Sequence, residues 1–137
     1  TWLFDRINTE SISVDFVRDL NVATKIVPCP IVREPDGLAM SSRNRYLSDQ
    51  ERKRALSLFA ALDLAKNEFD QGTRDSISIE TIVRERLRID VDSVDYATVV
   101  DANTLIPFVD NNIDSPAVVL IAAHVGSTRL IDNRRLT

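Results

Sequence analysis

The sequence predicts an α+β fold, in which two helices pack on one face of a small, mostly antiparallel sheet. Two observations favour this fold: two stretches with a helical period of apolar residues come first, and three β-type runs follow them. A helix and a strand precede this unit and predict the end of a separate α/β layer. We therefore expect a domain boundary near residue 30, with an α+β domain over residues 31–137.

The first part of the chain contains one helix and one strand by pattern. Apolar residues at every fourth position predict a helix from about residue 9 to residue 20, and the run VATKIV (22–27) predicts a short strand. Pro28 and Pro30 forbid a helix beyond that point and keep the chain extended.

Two helices are predicted in the middle of the chain. Ser48 followed by Glu51 has the spacing of a capping box, and Gly72 suits the position just after the helix end. Ser78 with Glu80 is predicted to open the second helix. Apolar residues at helical spacing form one stripe on each helix, Leu58, Phe59, Leu62, Ala65 and Phe69 on the first and Ile79, Ile82, Val83 and Leu87 on the second.

The last third of the chain predicts three strands. They cover residues 93–100, 117–125 and 129–133, and residues 126–128 form a turn between the last two. The polar residues 132–135 are expected to do no more than cap the last strand.

Composition excludes several classes of protein. The chain has 137 residues, is 44% apolar and carries a net charge of -4, which argues against a general nucleic-acid binder. No apolar run approaches the roughly 20 residues of a membrane span. A single cysteine, Cys29, excludes an internal disulfide and suits a reducing compartment. The one histidine, His124, lies in a strand pattern and is interpreted as structural.

One polar loop stands out between the proline segment and the first predicted helix. In DGLAMSSRNR (36–45), Gly37 allows a positive φ, so the chain can double back. Met40 could lie against a planar base, and Ser41 and Ser42 offer hydrogen-bond donors to phosphate oxygens. Arg43 adds a positively charged guanidinium that can donate two hydrogen bonds to one phosphate. From the residues alone, a β-turn followed by a polar loop is an equally good interpretation.

Four segments carry a family resemblance. FVRDLNV (16–22), VREPDGLAMSSRNRYLS (32–48), VDYATVVDANTLIPF (94–108) and AVVLIAAHVGSTRLIDN (117–133) resemble, in order and spacing, segments of the pantothenate synthetase (pantoate–β-alanine ligase) family. The resemblance covers roughly residues 16–136. It implies the family's C-terminal, ATP-closing domain over 31–137, preceded over 1–30 by the end of its Rossmann-like, nucleotidylyltransferase-type domain.

The resemblance implies a reaction and a binding site. In this family, pantoate attacks ATP to give pantoyl adenylate and pyrophosphate, and β-alanine then displaces AMP, with Mg²⁺ accompanying the triphosphate. Val32 corresponds to the residue whose backbone meets adenine, and Met40, Ser41, Ser42 and Arg43 to the ATP loop. Arg43 would stabilise phosphate charge, and no other catalytic residue is assigned. A cytoplasmic homodimer, with neither nucleic acid nor membrane as a partner, is also implied.

The sequence departs from the family near its start. The His-x-Gly-His motif that binds the triphosphate is absent. The positions expected to carry Gly-Glu-Lys-Asp and the pantoate-binding glutamine hold other residues, Leu3, Phe4, Asp5, Arg6 and Thr9. No role is therefore assigned to residues 1–15, and we expect a piece of a longer enzyme that is inactive alone.

Two other functions remain open from the sequence. One is a non-catalytic interaction module or degenerate homologue that keeps the fold without the chemistry. The other is a nucleic-acid binder that uses basic residues in and after the loop, against which the acidic balance counts; these residues are Arg43, Arg45, Arg52, Lys53 and Arg54.

Overall fold

A computed structural model describes residues 30–137. The predicted helix 9–20, the predicted strand 22–27, Cys29 and the unassigned residues 1–15 lie outside the described residues. The two helices and the three strands predicted after residue 47 are all present, so the α+β class is confirmed.

The first helix, α1, spans Asp49–Asp70 and begins as the sequence predicts. The Ser48 hydroxyl accepts a hydrogen bond from the Glu51 backbone N–H at 3.3 Å, and the Glu51 carboxylate accepts one from the Ser48 backbone N–H at 2.8 Å. These reciprocal bonds satisfy two donors that a helix start would otherwise leave free. Gly72 follows the helix with a φ of 104°, which is the left-handed conformation that ends many helices.

The second helix, α2, spans Ser76–Arg88 and begins earlier than predicted. Its cap is Asp75 rather than Ser78. The Asp75 carboxylate accepts hydrogen bonds from the Ser78 backbone N–H at 2.7 Å and from the Ser78 hydroxyl at 2.5 Å. A carboxylate also interacts favourably with the positive end of the helix dipole, so Asp75 is the better cap.

The three strands are β1 (Ser93–Asp101), β2 (Ala117–Val125) and β3 (Thr128–Leu136). They form one antiparallel sheet in the order β1-β2-β3, and a two-residue turn after Val125 joins β2 to β3. The prediction that residues 132–135 merely cap the last strand is wrong. These residues pair with β2 within β3, where they alternate between the two faces of the sheet.

The two faces of the sheet are covered differently. Alternate residues of β2 face the helices and join one apolar core, while Val118 and Leu120 face the opposite side, where Leu105 packs on them. No helix among the described residues is long and apolar enough to cross a membrane. The largest fully buried side chains of the helix-facing core are Leu58, Leu62, Ile79, Val83, Leu87, Val99, Val119, Ile121, Val125 and Leu136.

Candidate functional site

A tight hairpin over residues 33–39 leads into the polar loop. Arg33 and Ala39 pair across it, and the Gly37 N–H donates to the Glu34 carbonyl at 2.9 Å. Gly37 has a φ of 94°, as its predicted role in reversing the chain requires. A Cβ atom at Gly37 would lie 2.7 Å from the Phe59 ring on α1, so the hairpin packs directly against that helix.

Val32 and Met40 are brought together just beyond the open end of this hairpin. The Met40 N–H donates to the Val32 carbonyl at 2.9 Å. Both side chains are exposed, Val32 at 57% and Met40 at 53% of their maximal areas. An exposed apolar side chain beside a paired backbone segment is a surface on which a flat aromatic ring can lie.

Ser41 starts a short 3₁₀ helix over Ser42–Tyr46. The Ser41 hydroxyl accepts a hydrogen bond from the Arg43 N–H at 3.2 Å and so caps this turn. The side chains of Ser42 and Arg43 are exposed. Within the described residues, the Arg43 guanidinium pairs with no carboxylate. Of the four predicted loop residues, Ser41 thus has a structural role, while Ser42 and Arg43 are exposed among the described residues.

A cavity of about 490 Å³ lies between this loop and β3. The loop forms one wall, and consecutive residues of β3 form the other. Its apolar and polar lining residues are Ile31, Leu38, Ala39, Met40, Ser41, Ser42, Arg43, Asn44, Leu58, Arg129, Leu130, Ile131, Asp132 and Asn133. The structure therefore places Met40, Ser41, Ser42 and Arg43 on one cavity, whereas the side chain of Val32 lies outside its lining.

An ion pair fastens the hairpin to β3. The Arg33 guanidinium donates two hydrogen bonds to the Asp132 carboxylate, at 2.7 and 3.0 Å, and a third to the Gly37 carbonyl at 3.1 Å. Asp132 is only 2% exposed. Sequence reasoning missed this pair because 99 residues separate its partners, although an acidic residue two positions after the inward-facing Leu130 was a possible signal.

A second set of charges fastens the hairpin to α1. Arg52 donates to Glu34 at 2.7 Å and to Asp36 at 2.6 Å. Its hydrogen bonds are the main cause that lowers the pKa of both carboxyl groups, and for Glu34 a bond from Asn44 adds to the effect. Arg52 thus does not lie on a purely solvated helix face.

Arg54, further along the same helix, is also engaged. It donates to the Asp90 carbonyl and to the Asp92 carboxylate, each at 2.7 Å. Two of the basic residues that a nucleic-acid interface would use are therefore already paired with acidic partners.

His124 links two strands. Its Nδ1 atom lies 3.2 Å from the Asp95 carboxylate and 3.4 Å from the Ser93 hydroxyl. Because both partners face the same ring nitrogen, the three side chains do not form a proton relay, which needs one partner on each nitrogen.

Taken together, the described residues define an α+β domain that presents a polar, cation-bearing loop beside the edge of its sheet. The model of the family described as pantoate-beta-alanine ligase matches residues 10–135, and the chain belongs to that family.

Curated relatives support the same assignment. A pantothenate synthetase of Rhodopirellula baltica is 55% identical over 120 residues, covering 88% of this chain and 41% of that protein. One of Thermotoga neapolitana is 50% identical over 118 residues, again 41% of its length. The chain thus spans about two fifths of these relatives.

Solved structures share the fold. A pantothenate synthetase from Thermus thermophilus superposes with a TM-score of 0.83 at 35% identity, over 90% of this chain and 44% of that one. A pantoate-beta-alanine ligase from Francisella tularensis, complexed with beta-gamma ATP and beta-alanine, gives a TM-score of 0.60 at 24% identity, over 90% of this chain and 38% of that one, and is similar in fold.

Proposed function

We propose that this chain forms the ATP-closing side of a pantoate–β-alanine ligase. The observation that carries this proposal is the cavity that gathers Met40, Ser41, Ser42 and Arg43 on one wall. The activity belongs to the longer enzyme. There, pantoate is activated as an adenylate with loss of pyrophosphate, and the amine of β-alanine then displaces AMP.

The cavity suits the chemistry of this reaction. Attack at phosphorus needs little covalent help from the protein but does need charge neutralisation and alignment. Arg43 offers an exposed guanidinium and Ser42 an exposed hydroxyl, which are groups that hold phosphate oxygens. Met40 offers an apolar surface to a base, beside the backbone of Val32. We assign ATP binding to these residues together with Ser41, whose hydroxyl caps the loop.

Mg²⁺ is proposed as the partner of the triphosphate rather than of a protein cluster. Among residues 30–137, no three acidic, histidine or cysteine side chains are grouped closely enough to hold a metal ion. The cavity carboxylate of Asp132 is already occupied by Arg33. Mg²⁺ commonly keeps several waters and binds through substrate phosphates, which fits a wall whose carboxylate is paired.

The proposed homodimer and cytoplasmic location rest on the family resemblance alone.

The alternative function is a non-catalytic module that keeps the fold. The departures at residues 3–9 favour it. Under this alternative the loop would have no preference for ATP, so ligand binding distinguishes the two.

The test is an Arg43→Ala substitution in the full-length enzyme that contains this chain. Losing one preorganised charge donor is expected to slow adenylate formation by ~10²-fold or more in a single-turnover assay. Arg45→Ala is the matched control, because Arg45 is exposed in the same 3₁₀ helix and its guanidinium lies 5.4 Å from the Tyr46 ring. It should have a much smaller effect. An unchanged rate with Arg43→Ala, or a larger loss with Arg45→Ala, would contradict the proposed assignment.

The 137-residue chain alone is expected to make no pantothenate. In this proposal the loop would contact ATP from one side only, so the chain alone would lack the orientation that makes the attack effectively unimolecular. We expect ATP to bind with a dissociation constant on the order of millimolar, and no AMP release that depends on pantoate and β-alanine. Sustained turnover by this chain would place the substrate pocket elsewhere.

A further inference from the structure

Asn44 directly follows residues 40–43, which we assign to ATP, and its side chain reaches back to Ala39, the residue just before them. The Asn44 carboxamide Nδ2 donates to the Ala39 carbonyl at 3.0 Å and to the Glu34 carboxylate at 2.7 Å. Residues 40–43 lie between the two ends that the first of these bonds joins. The Asn44 backbone N–H adds a bond to the Ser41 carbonyl at 3.1 Å, so the loop is closed at its neck.

The orientation of this carboxamide is fixed by its partners. The Ala39 carbonyl and the Glu34 carboxylate can only accept hydrogen bonds, so the amide nitrogen and not the oxygen must face them. Arg52 holds the other oxygen of Glu34 at 2.7 Å, which fixes the carboxylate in turn. The chain of contacts therefore runs from α1 through Arg52 and Glu34 to Asn44.

The cost of this arrangement points to a role beyond packing. Asn44 is 8% exposed, and its Oδ1 atom is buried without a hydrogen-bond partner among the described residues. An unpaired buried acceptor destabilises the fold. An apolar residue would avoid that penalty, but the Ala39 carbonyl would then lose its Asn44 donor and the Glu34 carboxylate would keep only Arg52.

We propose that Asn44 is a positioning residue for nucleotide binding: its carboxamide clasps the two ends of the loop and thereby holds Ser42 and Arg43 toward the phosphates of ATP. This role deepens the proposed function and rests on it. Asn44 need not touch the nucleotide, because it acts through the backbone of residues 39–43.

The test compares Asn44→Asp with Asn67→Asp in the 137-residue chain. Aspartate has nearly the shape of asparagine but lacks the two N–H donors, and it would face the Glu34 carboxylate. Asn67 is exposed on α1, so its substitution makes the same change in net charge away from the loop. Asn44→Ala removes the donors without adding a charge and serves if the aspartate variant does not fold.

Two measurements separate the clasp from the binding site. Without nucleotide, amide exchange at residues 40–43 is expected to rise about 10-fold or more in the Asn44 variants and to stay unchanged in Asn67→Asp. In titrations with ATP and with adenosine, the dissociation constant for ATP is expected to rise about 10-fold, whereas that for adenosine changes less than about 2-fold. A general loss of structure would weaken both ligands alike and would overturn the specific role.

Each failure has its own meaning. Unchanged amide exchange at residues 40–43 in both Asn44 variants would overturn the clasp, whether or not the dissociation constant for ATP changes. Faster exchange with unaltered ATP affinity would overturn the positioning role. Faster exchange together with no ATP binding by the unsubstituted chain would instead contradict the proposed function, since the exchange measurement uses no nucleotide.

Discussion

At the scale of single residues, Gly37 meets two separate demands. Its φ of 94° lies in a region that favours glycine, and its Cα faces the Phe59 ring so closely that a Cβ would lie 2.7 Å from a ring carbon. Gly72 shares only the first demand. It has a φ of 104°, but a Cβ there would meet no other described atom within 4 Å. A comparison of the two glycines therefore separates the cost of backbone strain from the cost of close packing.

We predict that Gly37→Ala destabilises the chain more than Gly72→Ala does. An alanine in the left-handed region costs ~1–2 kcal/mol at either position. The contact with Phe59 adds ~1–3 kcal/mol at Gly37, because an overpacked core must shift. Urea unfolding followed by circular dichroism measures both free energies of unfolding. Equal losses at the two glycines would show that the hairpin does not press on Phe59.

The residues that were predicted correctly depend on local rules. Ser48 and Glu51 are three positions apart, and their capping bonds need nothing from the rest of the fold. Asp75 was missed because Ser78, three residues later, is also a good cap by type. Only the folded backbone shows that the Asp75 carboxylate accepts both Ser78 donors.

At the scale of elements, the hairpin is attached to β3 through Arg33 and to α1 through Arg52. The attachment to β3 is the more buried of the two, because the Asp132 side chain is only 2% exposed. The carboxylates that pair with Arg52 are more accessible, with Glu34 25% and Asp36 34% exposed. A partly desolvated, bidentate pair contributes more than an exposed one. The position of the loop should therefore depend chiefly on Asp132.

We predict that Asp132→Ala lowers the free energy of unfolding by ~2–4 kcal/mol, because it leaves Arg33 without its partner in a partly buried site. Asp63→Ala is the control. Asp63 pairs with Arg134 on the same strand at 2.9 Å but is 49% exposed, so its loss is expected to cost under ~1 kcal/mol. Denaturant melts of both variants test the difference. A similar small loss in both would mean that the Arg33 pair adds little to stability.

The extent of β3 shows why elements were only partly predictable. Arg134 and Arg135 carry no strand signal of their own, so the sequence ended the strand at residue 133. In the fold, Arg134 turns toward α1, pairs with Asp63 and lies 5.9 Å from the centre of the Phe59 ring. The candidate loop was predictable because its residues are contiguous. The opposite wall of the cavity was not, because β3 meets the loop only after folding.

At the scale of the whole molecule, the described residues contain a core of their own. Both helices pack on one face of the sheet, and the segment between β1 and β2 contributes Leu105 to the other face. These contacts all lie within residues 31–137, the range that we expect to be one domain.

We predict that residues 31–137 fold cooperatively without residues 1–30. Circular dichroism and one-dimensional NMR should give coincident unfolding transitions, as a single two-state domain does. Non-coincident transitions would contradict this prediction. In the whole chain, early proteolytic cutting between Phe69 and Ser93 while the N-terminus stays protected would contradict it as well, because that segment joins the two helices to the sheet.

The two-residue turn between β2 and β3 affects how the molecule can associate with other protein molecules. With Val125 paired to Thr128, residues 129, 131 and 133 turn their backbone polar groups away from β2. Among the described strands β3 is an edge, and an open edge can recruit a strand from another molecule. The Asn133 N–H is occupied by the Asp132 carboxylate at 2.8 Å, and residues 39–44 stand across the cavity from this edge. We expect a substitution that loosens residues 39–44 to uncover this part of the edge, and so to promote self-association as well as to weaken the proposed ATP binding.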